Sequence, residues 1–161
     1  MKYRALYYKE NVLRVLDQSR IPTLVEYVDC KTQYDVYTAI KEEKVVGRMP
    51  VGVAAAYGLV LAADSLTRKD GSACETWGQA NIELINVAHF LSMARPSDSI
   101  TSATRGMLEA AKNATKSAPF DLRYLQVELL REANRMYDAA CANCEAIGPS
   151  GVHLIRKGDQ V

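Results

Sequence analysis

The chain has 161 residues, 48% hydrophobic and 24% charged, which suits one folded domain with a real core. Its net charge of +1 argues against a dedicated nucleic-acid binder, because it provides no global positive field. The longest apolar run, residues 51–63, ends at Asp64 and is too short for a membrane span. The first residues lack the apolar centre of a signal peptide. We therefore expect a cytoplasmic protein that binds neither nucleic acid nor membranes.

The four cysteines are expected to be reduced, because no secretion signal precedes them. They are Cys30, Cys74, Cys141 and Cys144. The last two form a C-x-x-C pair on a predicted helix, which is half of a zinc site, and His153 is the one nearby candidate for a further ligand. The pattern favours small apolar helix residues over metal ligands, and we predict no metal site.

The first part of the chain predicts a small antiparallel hairpin sheet. Residues 13–16 and 23–28 alternate apolar and polar side chains, as half-buried strands do. Between them lies a polar turn that ends in Pro22. We assign residues 1–30 to this sheet region.

The rest of the chain predicts a mostly α domain of about five helices. Thr32 and Asp35 fit a capping pattern at the start of the first helix. The fifth helix is long and amphipathic, and Gly148, Pro149 and Gly151 are expected to end it. The expected spans are residues 32–44, 50–66, 74–93, 99–115 and 121–146, with a charged loop at 68–72.

Breaks between the helices carry two arginines. Arg95 precedes Pro96, which closes the third helix because the residue before proline avoids helical geometry. Ser97 or Asp98 can then cap the fourth helix. An arginine at such a junction can clamp a phosphate, or it can cap a helix end or pair with a carboxylate. The residues leave both roles of Arg95 open.

Residues 47–58, GRMPVGVAAAYG, predict a buried helix whose N-terminus follows a loop carrying Arg48. Pro50 suits a first helical turn, and the uncharged run behind it can be buried on all sides. Unpaired N–H groups, the positive end of the helix dipole and a guanidinium together suit an anion. A core helix with a tight turn before it is the plainer alternative.

Other chemistry finds little support in the sequence. His89 lies on an apolar stripe of the third helix and is expected to be a satisfied or partly buried histidine. The other residues of the stripe are Ile82, Leu84, Ile85, Val87 and Leu91. No nucleophile–histidine arrangement and no pair of carboxylates with acid–base spacing can be identified. The residues alone therefore predict a helical domain with a possible phosphate pocket.

Five segments together resemble the methylthioribose-1-phosphate isomerase family over nearly the whole chain. The wider superfamily includes ribose-1,5-bisphosphate isomerases and the regulatory subunits of the translation initiation exchange factor. The segments are LDQSRIP at 16–22, VEYVDCKTQYDVYTAIK at 25–41, VGVAAAYGLVLAA at 51–63, ARPSDSI at 94–100 and IGPSGVHLIRKGDQV at 147–161.

The resemblance implies the N-terminal domain of an aldose–ketose isomerase in methionine salvage. Such an enzyme converts methylthioribose 1-phosphate to methylthioribulose 1-phosphate without a metal or other cofactor. The resemblance implies that Gly47, Arg48 and Arg95 contact the phosphate of a phosphorylated pentose. Residues 31–148 would form the helical region of a single domain, and residues 149–161 a linker to a Rossmann-like C-terminal domain.

The resemblance also implies that the chain alone is inactive. The family's catalytic cysteine, in a THCN-type motif, and its catalytic aspartate would follow Val161, so we assign no catalytic residue within the chain. A complementary C-terminal domain or a second copy of the chain is the expected protein partner. The alternative is a non-catalytic interaction or regulatory module related to the initiation-factor subunits.

Two motifs depart from the family pattern. The family's phosphate loop, VVRGAPAIG, is VVGRMPVG here, so that glycine and arginine are exchanged and the register shifts by one. The family's RPTAVNL is RPSDSIT, which adds the negative charge of Asp98 near the expected phosphate. Arg48 could still reach the anion from a different backbone frame, whereas the charge of Asp98 is expected to weaken phosphate binding.

Overall fold

The computed structural model describes residues 4–66, 74–117 and 119–152. Within them, a three-stranded antiparallel sheet precedes five helices, which confirms the predicted fold class. The strands are β1 (Leu6–Lys9), β2 (Val12–Leu16) and β3 (Tyr27–Cys30), in the order β1-β2-β3. The helices are α1 (Gln33–Lys41), α2 (Arg48–Leu66), α3 (Trp77–Ser92), α4 (Asp98–Ser117) and α5 (Leu122–Val152). The predicted loop at 68–72 and the stretch from His153 onward lie outside the described residues.

The sheet contains a strand that the sequence did not predict. β1 pairs with β2 through a two-residue turn in which Glu10 and Asn11 both have positive φ, 52° and 59°. Such turns usually carry glycine, and its absence hid the hairpin. The second predicted strand, 23–28, was placed too early, because the chain first forms a short 3-10 turn at Gln18–Arg20 and extends only at Tyr27.

A capping box begins α1, as predicted. The Asp35 N–H donates to the Thr32 hydroxyl (3.3 Å), and the Asp35 carboxylate accepts from the Thr32 N–H (2.9 Å). The helix stops at Lys41, shorter than expected. Glu43, two residues on, takes a left-handed φ of 55° that no helix continues through.

Helix α5 corrects the predicted end of the fifth helix. It continues past Gly148 and through Pro149 to Val152, so residues 149–152 are helical rather than a linker. A proline removes one helical hydrogen bond and displaces the carbonyl four residues before it. Residues 142–149 are all exposed, so water can satisfy the carbonyl that the ring frees.

Helix α2 is the centre of the molecule. Every residue from 51 to 63 is buried, and α1, α3, α4, α5, β1 and β2 all contact it. Gly58 lets Leu91 of α3 and Val36 of α1 approach the helix closely.

Among the described residues, α2 is the one helix long and apolar enough to cross a membrane, contrary to the expectation that no segment qualifies. It is mostly buried inside the fold, as a core helix is.

Polar contacts tie the hairpin and α5 to α2. The Tyr57 hydroxyl donates to Asn134 on α5 (2.8 Å), and the Tyr57 ring stacks on Tyr8 of β1 at 5.2 Å. At the other end of α2, Asp64 accepts from the side-chain amides of Asn11 (3.3 Å) and Gln126 (3.1 Å). Burial is the main reason that the pKa of Tyr57 is raised.

Gly52 provides a test of the packing around α2. A Cβ atom at this position would lie 2.9 Å from the backbone carbonyl oxygen of Ser99, which cannot easily move. We expect Gly52→Ala to lower the free energy of unfolding by about 1–3 kcal/mol through overpacking, measured by urea denaturation. Gly148→Ala is the matched control, because nothing lies within 4 Å of that Cβ. Equal stability of the two variants would contradict the close approach.

Candidate functional site

The loop before α2 contains the predicted Gly47-Arg48 pair. Gly47 has a φ of +98°, a conformation that side chains with a Cβ rarely adopt. Its carbonyl accepts from the N–H of Val51 (3.2 Å). The helix begins at Arg48, two residues before the predicted start, and Pro50 falls within its first turn. The N–H groups of Arg48 and Met49 precede this first helical bond and point out of the helix end.

The N-terminus of α4 lies beside that of α2. Ser97 caps α4, since its hydroxyl accepts from the Ser99 N–H (3.3 Å) and its carbonyl from the Thr101 N–H (3.2 Å). Of the two predicted alternatives, Ser97 is therefore the cap, and Asp98 is the first residue of α4. Because Gly52 packs against the Ser99 carbonyl, the crossing lies within about one turn of both helix ends.

An open groove of about 750 Å³ starts at this crossing and runs between α4 and α5. Arg48 and Asp98, both exposed, line one end of it. Farther along, Arg131 pairs with Glu128, and Arg135 pairs with Glu132 at 2.6 Å. The groove therefore mixes both signs of charge. Its charged lining residues are Arg48, Asp98, Glu109, Glu128, Arg131, Glu132 and Arg135.

Arg95 lies outside the lining of this groove, in the junction between α3 and α4. Its Nη1 is 3.6 Å from Oε1 of Glu43, in the turn after α1. The sequence left open whether Arg95 clamps a phosphate or pairs with a carboxylate, and in the structure it pairs with the Glu43 carboxylate. Both side chains are well exposed, so this ion pair is weak.

The groove's α5 side was missed by the sequence reasoning. Its signal was present, since Glu128 with Arg131 and Glu132 with Arg135 repeat the same spacing of three residues on one helix. Such pairs indicate a charged stripe along the edge of the buried face that carries Leu125 and Leu129; the two arginines are well exposed and the two glutamates are mostly covered. The pairs do not indicate that α4 lies across from them.

The structure places His89 at the surface and Cys30 in the core. His89 is exposed, so of the two alternatives the partly buried one is wrong. Ile82 and Ile85, from the same predicted stripe, are exposed as well, because α3 buries its other side. Burial raises the pKa of the Cys30 thiol to about 12, and the carboxylate of Asp35 adds to the shift. The described part of the chain contains no group of three or more potential metal ligands.

Comparison with known proteins finds relatives that carry one functional name. No protein-family model matches the chain. The methylthioribose-1-phosphate isomerase of Thermotoga maritima is 32% identical to it, with all of this chain and 43% of that protein covered. The isomerases of Geobacillus kaustophilus and Bacillus velezensis are 31% and 29% identical, each match covering 98% of this chain and 42% of the relative. The resemblance to the methylthioribose-1-phosphate isomerase family is confirmed. The chain spans less than half the length of these relatives.

Solved structures show the same fold. The crystal structure of the translation initiation factor eIF-2B, subunit delta, from A. fulgidus superposes with a TM-score of 0.78 at 24% identity, covering 98% of this chain and 43% of that one. The 5-methylthioribose 1-phosphate isomerase from Pyrococcus horikoshii OT3 gives 0.71 at 21% identity, covering 86% and 37%. At these identities each likeness shows the fold alone.

The thiols should differ in reactivity because of their burial. Cys30 is fully buried and Cys144 is exposed. With a pKa of about 12, Cys30 holds almost no thiolate at pH 8, and the thiolate is the reactive form. We expect timed alkylation with peptide mass mapping to label Cys144 promptly and Cys30 only after denaturation. Labelling of both at one rate in the native protein would contradict the burial of Cys30.

Proposed function

We propose that this chain forms the helical domain of a methylthioribose-1-phosphate isomerase-like protein and contributes contacts to the substrate phosphate through Gly47, Arg48 and Arg95. The substrate would be a phosphorylated pentose undergoing aldose–ketose isomerisation in methionine salvage, in the cytoplasm. The observation that carries the proposal is the crossing at Gly52 and Ser99, which brings two helix N-termini to one end of the groove.

The physical case rests on the groups at this end of the groove. The N–H groups of Arg48 and Met49 and the positive ends of two helix dipoles favour a dianion. The Arg48 guanidinium, exposed at the rim, adds charge-assisted hydrogen bonds. Asp98 acts in the opposite direction, because its carboxylate lines the same end of the groove. In this proposal the site therefore binds phosphate, but less tightly than it would without the carboxylate of Asp98.

Arg95 would join the phosphate only by leaving Glu43. The two side chains are exposed and 3.6 Å apart, and ion pairs of this kind contribute about 0–1 kcal/mol. A phosphate dianion offers a guanidinium two parallel hydrogen bonds and can compete for it. In this proposal Arg95 pairs with Glu43 when no phosphate is bound.

The isomerisation itself would need groups beyond those described. Cys30 is buried with a raised pKa, and the groove carboxylates Glu128 and Glu132 are paired with arginines. We propose that the chain alone is inactive and acts with a complementary domain or a second copy. The likeness to the initiation-factor subunit concerns the fold alone, so no particular observation favours the interaction-module alternative.

The phosphate contacts can be tested by calorimetric titration with ribose 1-phosphate. We expect Arg48→Ala to weaken binding about 10- to 100-fold, the loss typical of a hydrogen bond to a charged group. Arg95→Ala should weaken it less, and Asp98→Asn should strengthen it. Arg123→Ala is the control, since Arg123 is exposed at the start of α5 and does not line the groove.

Two results would contradict the assignment. Arg48→Ala binding as tightly as Arg123→Ala would remove Arg48 from the site. Equal binding by the original chain and Arg95→Ala would remove Arg95.

The isolated chain should not convert methylthioribose 1-phosphate to its ketose. The reason is that the Cys30 thiol is buried and that Glu128 and Glu132 of the groove are held by arginines. The measurement is a phosphorus and carbon NMR time course of the sugar phosphate incubated with the purified 161-residue chain. Product formation at a rate typical of metabolic enzymes would refute the inactivity.

A further inference from the structure

Gln18 makes two hydrogen bonds to the chain segment that leads into the candidate phosphate site. Its backbone N–H donates to the carbonyl of Lys44 (3.0 Å), and its side-chain oxygen accepts from the N–H of Val46 (2.9 Å). Val46 is followed directly by Gly47 and Arg48. We infer that Gln18 is a positioning residue, which holds residues 44–46 and thereby sets where Arg48 stands at the start of α2.

The turn that presents Gln18 is itself firmly held. Asp17 is 4% exposed, and its carboxylate accepts from the N–H (3.0 Å) and the hydroxyl (2.5 Å) of Ser19. The Asp17 N–H donates to the Glu26 carbonyl (2.9 Å), and the preceding Leu16 N–H donates to Ala5 (2.9 Å). Gln18 is therefore fixed to the sheet, and through it the sheet is fixed to the loop.

Residues 44–46, which Gln18 contacts, lie between the end of α1 and the turn at Gly47. Lys44 and Val45 still donate to the Ala39 carbonyl at the end of α1, and the Val45 side chain is buried. Val46 is 45% exposed, and Gly47 then turns the chain with its φ of +98°. The hydrogen bond from the Val46 N–H to Gln18 thus holds the chain directly before it reverses into α2. A shorter acceptor such as asparagine would fall one methylene short.

The consequence for binding rests on the proposed function. A loop already held in its bound geometry loses less conformational freedom when a ligand arrives, and so binds more tightly. Without the Gln18 acceptor, the Val46 N–H would bond to water, and Gly47 and Arg48 would sample more backbone conformations. The affinity for a sugar phosphate should fall although Gln18 itself does not touch the ligand.

Gln18→Ala tests this in the full chain, with amide hydrogen exchange by NMR as the first readout. We expect the exchange rate of the Val46 amide to rise at least about tenfold, while the core amides of α2 and the urea midpoint change little. Gln126→Ala is the matched control, because that side chain donates to Asp64 at the opposite end of α2. Gln18→Glu keeps an acceptor oxygen at the same reach and should restore protection of Val46.

Titration with ribose 1-phosphate is the second readout. We expect Gln18→Ala to weaken binding about tenfold and Gln126→Ala to leave it unchanged. Gln18→Glu is judged by exchange alone, since its added charge would repel the phosphate.

The outcomes separate this inference from the proposed function. Unchanged exchange at Val46 in Gln18→Ala overturns the inference. So does full affinity in Gln18→Ala where Arg48→Ala binds weakly. If the original chain does not bind the sugar phosphate at all, the proposed phosphate site fails, and the exchange result with its Gln18→Glu rescue still decides whether Gln18 holds the loop.

Discussion

The burial of residues 51–63 of α2 on every side is the constraint on which the rest of the structure depends. A helix without a polar face cannot lie on a surface, because each exposed apolar side chain would forgo the gain from leaving water. Four helices and two strands of the sheet therefore surround it, so α2 is packed on every side. Small residues make this possible, since Gly52 and Gly58 allow neighbouring helices to approach closer than a Cβ would permit.

The candidate site follows from that packing. Because α2 is enclosed, its N-terminus emerges only where the surrounding elements leave room, which is beside the start of α4. The close contact of Gly52 with Ser99 therefore has two effects: it stabilises the core, and it brings two sets of outward-pointing N–H groups together. The small sheet contributes to the same end, because its turn at Asp17 and Gln18 holds the segment that leads into α2.

Much of this fold could be predicted from local chemistry, and the misses have physical causes. The capping box at Thr32 and the uninterrupted apolar run of α2 are encoded by residues close in sequence, so both were predicted correctly. The β1–β2 hairpin was missed because Glu10 and Asn11 adopt positive φ without glycine. Pro149 normally ends a helix, yet α5 passes through it where the helix is exposed. At the candidate site, the loop with Gly47 and Arg48 was predicted from the sequence, and Arg48 lines the groove. The α5 wall of the groove depends on how distant helices pack, which no short motif records.

The exchange of glycine and arginine in the loop now has a structural meaning. The family pattern has arginine before glycine, whereas here Gly47 takes the left-handed conformation and Arg48 follows as the first residue of α2. Its side chain therefore departs from a helical turn that the core holds in place, rather than from the loop itself. Asp98 occupies the equivalent first position of α4, so each of the two adjoining helices presents one charge of opposite sign to the end of the groove. An anion bound there must gain more from Arg48 and the open N–H groups than it loses to Asp98. In the proposed site, the balance between Arg48 and Asp98 sets how tightly phosphate binds, and the fold that the chain shares with the translation-factor structure does not decide it.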